Sequence, residues 1–354
     1  MHDVTAQLIS GKLPDKAELA DFIVRHTPAD REELFALARL VRERFYGRDV
    51  YIRGLIEFSN YCRNNCIYCG IRAGNTKVSR YRLTPEKILD CCRGGYLLGF
   101  RTFVLQGGDD PGWADEALRD LVAAIYTEFP DCAITLSVGE REKSVYQAWF
   151  EAGASRYLLR HETADPDHYA KLHTSGQKWE RRVQCLYDLK EIGYQVGAGF
   201  MVGSPGQTPE MLAGELHFLK KLQPQMVGIG PFLPHCDTPF AGEKPGSCEE
   251  TLLMLALIRL ILPNVLLPAT TALATGDPQG RVKGLLAGAN VVMPNLSPDD
   301  VRGKYLLYNN KVTSGNEAAA AIRALSAEFA AAGFRVVTAR GDCRPLEENT
   351  YVHE

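Results

Sequence analysis

Three cysteines, Cys62, Cys66 and Cys69, stand within eight residues in the spacing C-x3-C-x2-C. Thiolates this close on one loop can converge on a single iron–sulfur cube, whose usual complement is four cysteine ligands. No fourth cysteine lies nearby. Three ligands leave one iron open, which is what a small molecule needs to bind that iron directly. Two plainer readings are a structural zinc site short of one ligand and three unrelated thiols. Structural zinc takes four closed ligands, often from two Cys pairs, and the sequence has no second pair. The other seven cysteines (Cys91, Cys92, Cys132, Cys185, Cys236, Cys248, Cys343) show no metal-ligand spacing. Met1-His2-Asp3 does not start a signal peptide, so the expectation is a cytoplasmic protein, where clustered thiols point to metal or redox chemistry rather than disulfides.

The elements that must position this loop alternate along the chain. Short β-rich runs at 51–58, 101–106, 132–137, 155–160, 194–202, 225–230, 265–269 and 289–293 read as strands. Helical patterns lie between them near 84–97, 114–128, 141–151, 179–192, 208–221, 249–262 and 278–287, with an Ala-rich helix near 315–332. Eight such units predict a (β/α)8 TIM-type barrel, an α/β fold; a doubly wound open sheet is the alternative, because strand order is not legible in one sequence. The strands end in polar or small groups: Ser59-Asn60, Gln106-Gly107-Gly108-Asp109, Ser137, Arg160-His161-Glu162-Thr163, Gly203-Ser204, Pro234-His235, Thr270-Thr271 and Pro294-Asn295. Such groups at the C-terminal strand ends predict one central site at the top of a barrel. Helical patterns at Asp15 to His26 and Asp30 to Phe45 make residues 1–48 an N-terminal helical extension. The barrel then spans 49–335, and 336–354 form a C-terminal tail packed on it.

Composition sets the outer bounds. The 354 residues carry 40 Lys+Arg against 43 Asp+Glu, a net charge of −3, with 45% apolar and 23% charged residues. That is a globular mix, without the basic excess of a dedicated nucleic-acid binder. The longest apolar run, Leu252 to Leu262, is interrupted by Arg259 and is too short to cross a bilayer. No nucleic acid and no membrane are therefore expected as partners.

The cysteine loop, with Tyr68 just before its third cysteine, resembles the signature of the radical S-adenosylmethionine (SAM) superfamily. The blocks IEFSNYCRNNCIYCGIR, RYRLTPE, VLQGGDDP, RYLLRHETAD, MVGSPGQT, MVGIGPFLPHCDTP, LPATTA and GANVVMPN resemble, from about residue 45 to 305, the HydE family of FeFe-hydrogenase maturases. The resemblance implies one 4Fe-4S cluster on Cys62, Cys66 and Cys69, with the open iron chelating the methionine end of SAM. One electron then cleaves the sulfonium to methionine and a 5′-deoxyadenosyl radical.

Site roles follow from that resemblance. Glu162 is expected at the ribose hydroxyls, beside Arg160; its plainer role is a helix-start acid near Asp165-Pro166. Arg182 is expected to bind the SAM carboxylate, although Arg181 is one residue away and a solvated helix-face arginine is the ordinary alternative. Gln106, Gly107 and Gly108 would offer main-chain carbonyls to the ammonium group; the family pattern usually has Ser at position 107 and Glu at 109. Gly228, Ile229 and Gly230 would lie by the adenine, and Thr135 and Ser137 could point inward. His161 reads as a packed or capping residue. Arg53, Arg156, Thr270, Thr271, Met293 and Tyr305 would make a cationic cavity for an anionic substrate, unless the two arginines pair with acids at the barrel floor. Cys343 alone in 300–354 argues against a second cluster of the kind many family members carry.

The implied function is assembly of the hydrogenase di-iron unit, through attack on the sulfur of an iron-bound cysteine complex. The implied partners are an organometallic or amino-acid-derived small molecule, a reductant such as ferredoxin or flavodoxin, and other hydrogenase maturases in transient contact. The rival readings are a methylornithine-synthase-type mutase, a biotin-synthase-type sulfur insertion enzyme, and a non-catalytic iron–sulfur carrier.

Overall fold

The computed structural model describes residues 3–312 and 318–346. Its strands are β1 (Asp49–Ile52), β2 (Gly54–Ser59), β3 (Thr102–Gly107), β4 (Ala133–Ser137), β5 (Ala154–Leu158), β6 (Gln195–Ala198), β7 (Met201–Val202), β8 (Met226–Val227), β9 (Gly230–Pro231), β10 (Val291–Val292) and β11 (Arg335–Val337). In parallel register β2 pairs with β3, and β4, β5, β6 and β8 follow in order. The expected seventh strand, 265–269, is held by bridges rather than a long ladder: Met226 opposes Leu266, and Pro268 opposes Val291. β10 then pairs with β1, and the Leu55 N–H donates to the Pro294 carbonyl at 2.9 Å. The eight-strand barrel is thereby closed, and the open-sheet alternative falls.

Two predicted strands are shorter than their apolar runs suggest. The run 194–202 breaks at Gly199 into β6 and β7, because Gly199 packs on Gly228: an added Cβ would sit 2.0 Å from the Gly228 carbonyl oxygen. Its partner run, 225–230, breaks in step into β8 and β9, and β7 pairs with β9. The break hands the residues after β5 a new neighbour, with Glu162 bridging Phe200.

The extension contains the helices Asp3–Ile9, Lys16–Arg25 and Pro28–Tyr46, the first of them unforeseen. Asp15 with Glu18 and Thr27 with Asp30 form capping boxes, each leaving two fewer orphan N–H groups at a helix start. Lys16–Arg25 packs on the barrel helix Pro209–Leu222, and Pro28–Tyr46 on Cys248–Ile261. That second contact explains the long apolar run: residues 251–261 are all buried, so the helix has no solvent face to mark with polar residues. Among the described residues no helix is long and apolar enough to cross a membrane.

The C-terminal part runs from the helix Ala318–Ala331 into β11, which pairs in parallel with β1. Residues 338–344 then lie beneath the barrel. The Thr102 hydroxyl donates to the Arg340 carbonyl at 2.8 Å, and Arg156 meets Asp342 at 2.7 Å. The tail thus plugs the floor; its last residues, 347–354, and the start of the Ala-rich helix pattern lie outside the described residues.

Candidate active site at the barrel mouth

The loop after β2 carries the three thiols, and its shape is fixed by two buried aspartates after β3. Asp109 Oδ2 accepts from Arg63 Nε at 2.8 Å and Asn64 Nδ2 at 3.2 Å, both between the first two cysteines. Its Oδ1 accepts from Arg141 at 2.7 Å, and its carbonyl from the Arg63 N–H at 2.8 Å. Asp110 accepts from Ser59 at 2.5 Å and holds Arg82 by two bonds at 2.7 and 2.8 Å. A glycine is required at 108 because the loop crosses there: an added Cβ would lie 2.1 Å from the Tyr61 carbonyl oxygen. The Gly-Gly-Asp-Asp turn is therefore the mount of the cysteine loop.

The thiols themselves fit a metal cluster. Burial pushes Cys62, Cys66 and Cys69 above the ordinary thiol value, and the charge of Cys66 raises both Cys62 and Cys69 further. Three neighbouring thiolates are costly unless metal ions offset their charge. Among the described residues the one set of three ligating groups with all atoms within 4.8 Å is His235, Cys236 and Asp237. The Gln177 amide donates to Cys66 Sγ at 3.3 Å. Tyr68 is held against His173, 3.3 Å from hydroxyl to Nε2, with His173 Nδ1 3.0 Å from the Tyr169 carbonyl. Burial, reinforced by Arg182, pushes His173 down to about 3, so the ring is neutral and its Nε2 accepts from Tyr68.

A cavity of about 360 Å3 opens beside this loop. Of the residues expected there, Cys62, Tyr68, Cys69, Gln106, Gly107, Gly108, Ser137, Arg160, Glu162, Arg182, Gly228, Gly230, Thr270, Thr271, Met293 and Tyr305 line it. Glu162 is held in the left-handed region, φ 67°, with its N–H bonded to the Gly199 carbonyl at 3.0 Å and its carboxylate 3.1 Å from Arg160. That conformation costs a non-glycine residue about 1–2 kcal/mol, and such strain is a mark of functional sites. Arg182 Nε donates to Glu140 at 2.5 Å and Nη1 to the Arg160 carbonyl at 2.6 Å. Arg181 pairs instead with Glu142 outside the cavity, which separates the two candidates. A Cβ at Gly228 would meet one atom, the Ala198 carbonyl oxygen at 4.0 Å, so that glycine leaves open space. His161 is spent on buried Glu215 at 2.7 Å, a packing role.

Five expected residues are not in the lining. Cys66 lies behind it, against Gln177. The Ile229 side chain is in the hydrophobic core, which leaves its flanking glycines to face inward. Thr135, Arg53 and Arg156 lie lower in the barrel, around a separate space of about 10 Å3 at the floor. There Arg156 pairs with Asp342, and Arg53 Nη1 meets the Met226 sulfur at 2.6 Å. The correction is one of height. Successive inward positions are Arg53, just before β2, then Leu55 and Glu57 on it, and the same series is Arg156 and Leu158 on β5 and Arg160 just after it; the apolar layer of Leu55 and Leu158 shuts the floor arginines off from the cavity.

Charged residues that the sequence did not single out take their place. Glu57, fully buried, is paired with Lys311 and accepts from Asn295 at 2.8 Å. Lys311 also donates to the Tyr305 carbonyl at 2.9 Å, and Arg281 completes the rim. Glu57 had a signal, since it shares the inward alternation of Arg53. Lys311 lies in an irregular stretch and had none.

Comparison with known proteins adds three findings. A sequence profile of the Radical SAM superfamily matches residues 56–219. The FeFe-hydrogenase maturase subunit HydE of Thermotoga maritima is 49% identical over 281 residues, 79% of this chain and 80% of that protein. A 3-methylornithine synthase of Methanosarcina acetivorans is 32% identical over 83% of both chains. The crystal structure of methylornithine synthase superposes with a TM-score of 0.84 at 27% identity, covering 95% of this chain and 97% of that one.

Proposed function

The chain belongs to the HydE family of radical SAM enzymes, and from that premise we propose how its cavity carries out the family's chemistry. It is an enzyme of FeFe-hydrogenase maturation that reductively cleaves SAM, with a 4Fe-4S cluster as its cofactor. Identity of 49% to a HydE, against 32% to a methylornithine synthase, favours the maturase over the mutase and sulfur-insertion readings. A carrier would need no cavity of this size beside the thiols.

One observation carries the assignment of roles: a single cavity brings the thiol loop, the glycine turn, Glu162, Arg182 and Gly228 together. Cys62, Cys66 and Cys69 would hold the cluster, which when bound supplies the electron that cleaves the sulfonium of SAM. Arg182 is aimed by Glu140 and by the Arg160 carbonyl, and would take the carboxylate end through a charge-assisted pair. Glu162, locked in its left-handed conformation, would accept from the ribose hydroxyls. Gly228 leaves the flat space that an adenine ring needs, and Gln106, Gly107 and Gly108 offer main-chain carbonyls to the ammonium group. Tyr305, Leu307, Tyr308 and Leu325 line the cavity from the C-terminal segments and restrict water, which protects a reactive radical. Arg160 and Arg281, which also border the cavity, suit an anionic substrate, which we take to be an iron-bound cysteine complex attacked at sulfur.

The test is anaerobic iron–sulfur reconstitution followed by dithionite and SAM. Methionine and 5′-deoxyadenosine in equal amounts are expected from the native chain, and neither from Cys66→Ala. Equal product from both proteins sinks the assignment.

A further inference from the structure

We infer that His161 and Glu215, neither of which lines the cavity, are positioning residues for SAM: together they hold Glu162 in the backbone conformation that aims its carboxylate at the ribose. This rests on the role given to Glu162 above and adds what enforces it. Enforcement is needed. A φ of 67° is unfavourable for a residue with a side chain, and such strain persists only where the surroundings over-determine it. Among the described residues Glu162 Oε2 has no hydrogen-bond donor, since Arg160 lies 3.1 Å away without the alignment of a bond. That oxygen is left to a ligand, so the backbone must be held by other means.

The residues on either side supply the constraint. His161 Nδ1 accepts from the Gly199 N–H at 3.3 Å, while the Glu162 N–H donates to the Gly199 carbonyl at 3.0 Å. A main-chain N–H can only donate, so the ring proton sits on Nε2, which donates to Glu215 Oε2 at 2.7 Å. The other oxygen of Glu215 accepts from the Ala164 N–H, also at 2.7 Å. One carboxylate thus grips the chain one residue before Glu162 and two residues after it. Thr163, inside that grip, is tied by its carbonyl to the Trp179 indole at 3.1 Å and by its hydroxyl to His168 at 3.2 Å.

Packing alone does not account for Glu215. It stands on the apolar face of the helix Pro209–Leu222, beside Leu212, Leu216 and Leu219, and is fully buried together with His161. A buried charged pair is often no more stabilising than apolar side chains of the same volume. What it adds is geometry. The carboxylate presents two acceptors to two set points of the chain, where a leucine would fill the space and leave the Ala164 N–H unpaired.

The experiment is a double-mutant cycle, read as the Kd of labelled SAM for the anaerobically reconstituted full chain. Glu215→Gln keeps the volume but cannot accept from both His161 and Ala164, because one of its two positions becomes an amide donor. It is expected to weaken SAM binding about fivefold, the equivalent of one displaced hydrogen bond. Glu162→Gly removes both the strain and the carboxylate, so in that background Glu215→Gln should change the Kd by less than about twofold. His161→Gln, whose amide can still donate to Glu215, should bind SAM within about twofold of the native chain. Native affinity in Glu215→Gln, equal weakening by it in both backgrounds, or a His161→Gln protein as weak as Glu215→Gln overturns the proposal. Should Glu215→Gln fail to fold, hydrogen exchange in the native chain decides: the Glu162 and Ala164 amides should be protected before SAM is added, and amides protected only in its presence overturn the proposal. Failure of the underlying role looks different, since Glu162→Gly would then bind SAM as tightly as the native chain.

Discussion

The barrel buries arginines at both ends, and the two ends treat them differently. At the floor Arg53 and Arg156 share a space of about 10 Å3, room for about one water, sealed below by the chain's own residues 338–344. Asp342 faces Arg156, and burial depresses both guanidiniums below their ordinary value, Arg53 with the added repulsion of Arg156. At the mouth Arg160, Arg182, Arg281 and Lys311 border about 360 Å3. Arg182 and Lys311 are aimed by Glu140 and Glu57, and Arg160 meets the strained Glu162. The same residue type closes the structure at one end and leaves charge facing a cavity at the other. What decides between them is the layer of the barrel, not the strand or the direction of the side chain.

Predictions that separate the ends start with the mouth. Cys66→Ala should lose cluster iron and all SAM cleavage yet melt within a few degrees of the native apoprotein, read by iron content and calorimetry. Glu162→Gln removes a charged acceptor and should raise the KM for SAM by about 10- to 100-fold, since bonds to charged groups are worth about 1.5–3 kcal/mol. Glu162→Gly sharpens the point: it should weaken SAM in the same way but stabilise the fold by up to about 1 kcal/mol, because glycine carries no penalty at φ 67°. A Glu162→Gly protein that melts lower than Glu162→Gln would break the strain argument.

The floor should respond in the opposite sense. Asp342→Asn leaves buried Arg156 without its carboxylate and should cost about 1–2 kcal/mol, the discount reflecting the 43% exposure of Asp342, with the KM for SAM unchanged. Arg156 holds the Asp342 carboxyl down to about 2 although burial opposes it. A carboxyl depressed in the folded state contributes stability above its unfolded value, near 4, and loses it as pH falls toward 2. The native chain should therefore shed this increment on acidification, and Asp342→Asn should show a shallower loss over the same window. The smallest effect is expected for Gly228→Ala, which meets no atom closer than 4.0 Å: unchanged melting, and SAM binding weakened only a few-fold.

The sequence made the barrel legible because each strand announces its inward face by alternation and its top by a polar end. It made the cysteine loop legible because ligand spacing is local. Height within the barrel was not legible. Thr135 and Ser137 point the same way from one strand, yet one lies at the floor and the other in the cavity, and where along the strand that boundary falls depends on register with the neighbouring strands. Nor did anything local mark Lys311, which reaches Glu57 across the whole chain, or the Asp109 clamp, whose partners Arg63 and Arg141 come from two other loops. The left-handed backbone of Glu162 arises from the break at Gly199, a contact between distant strands.

The most direct test is a crystal structure of the anaerobically reconstituted protein with SAM bound. The account predicts a cluster on Cys62, Cys66 and Cys69, the SAM carboxylate at Arg182, the ribose at Glu162 and the adenine against Gly228, with the floor around Arg53 and Arg156 unchanged. A fourth protein ligand on the cluster, or SAM seated away from Glu162 and Arg182, would contradict it.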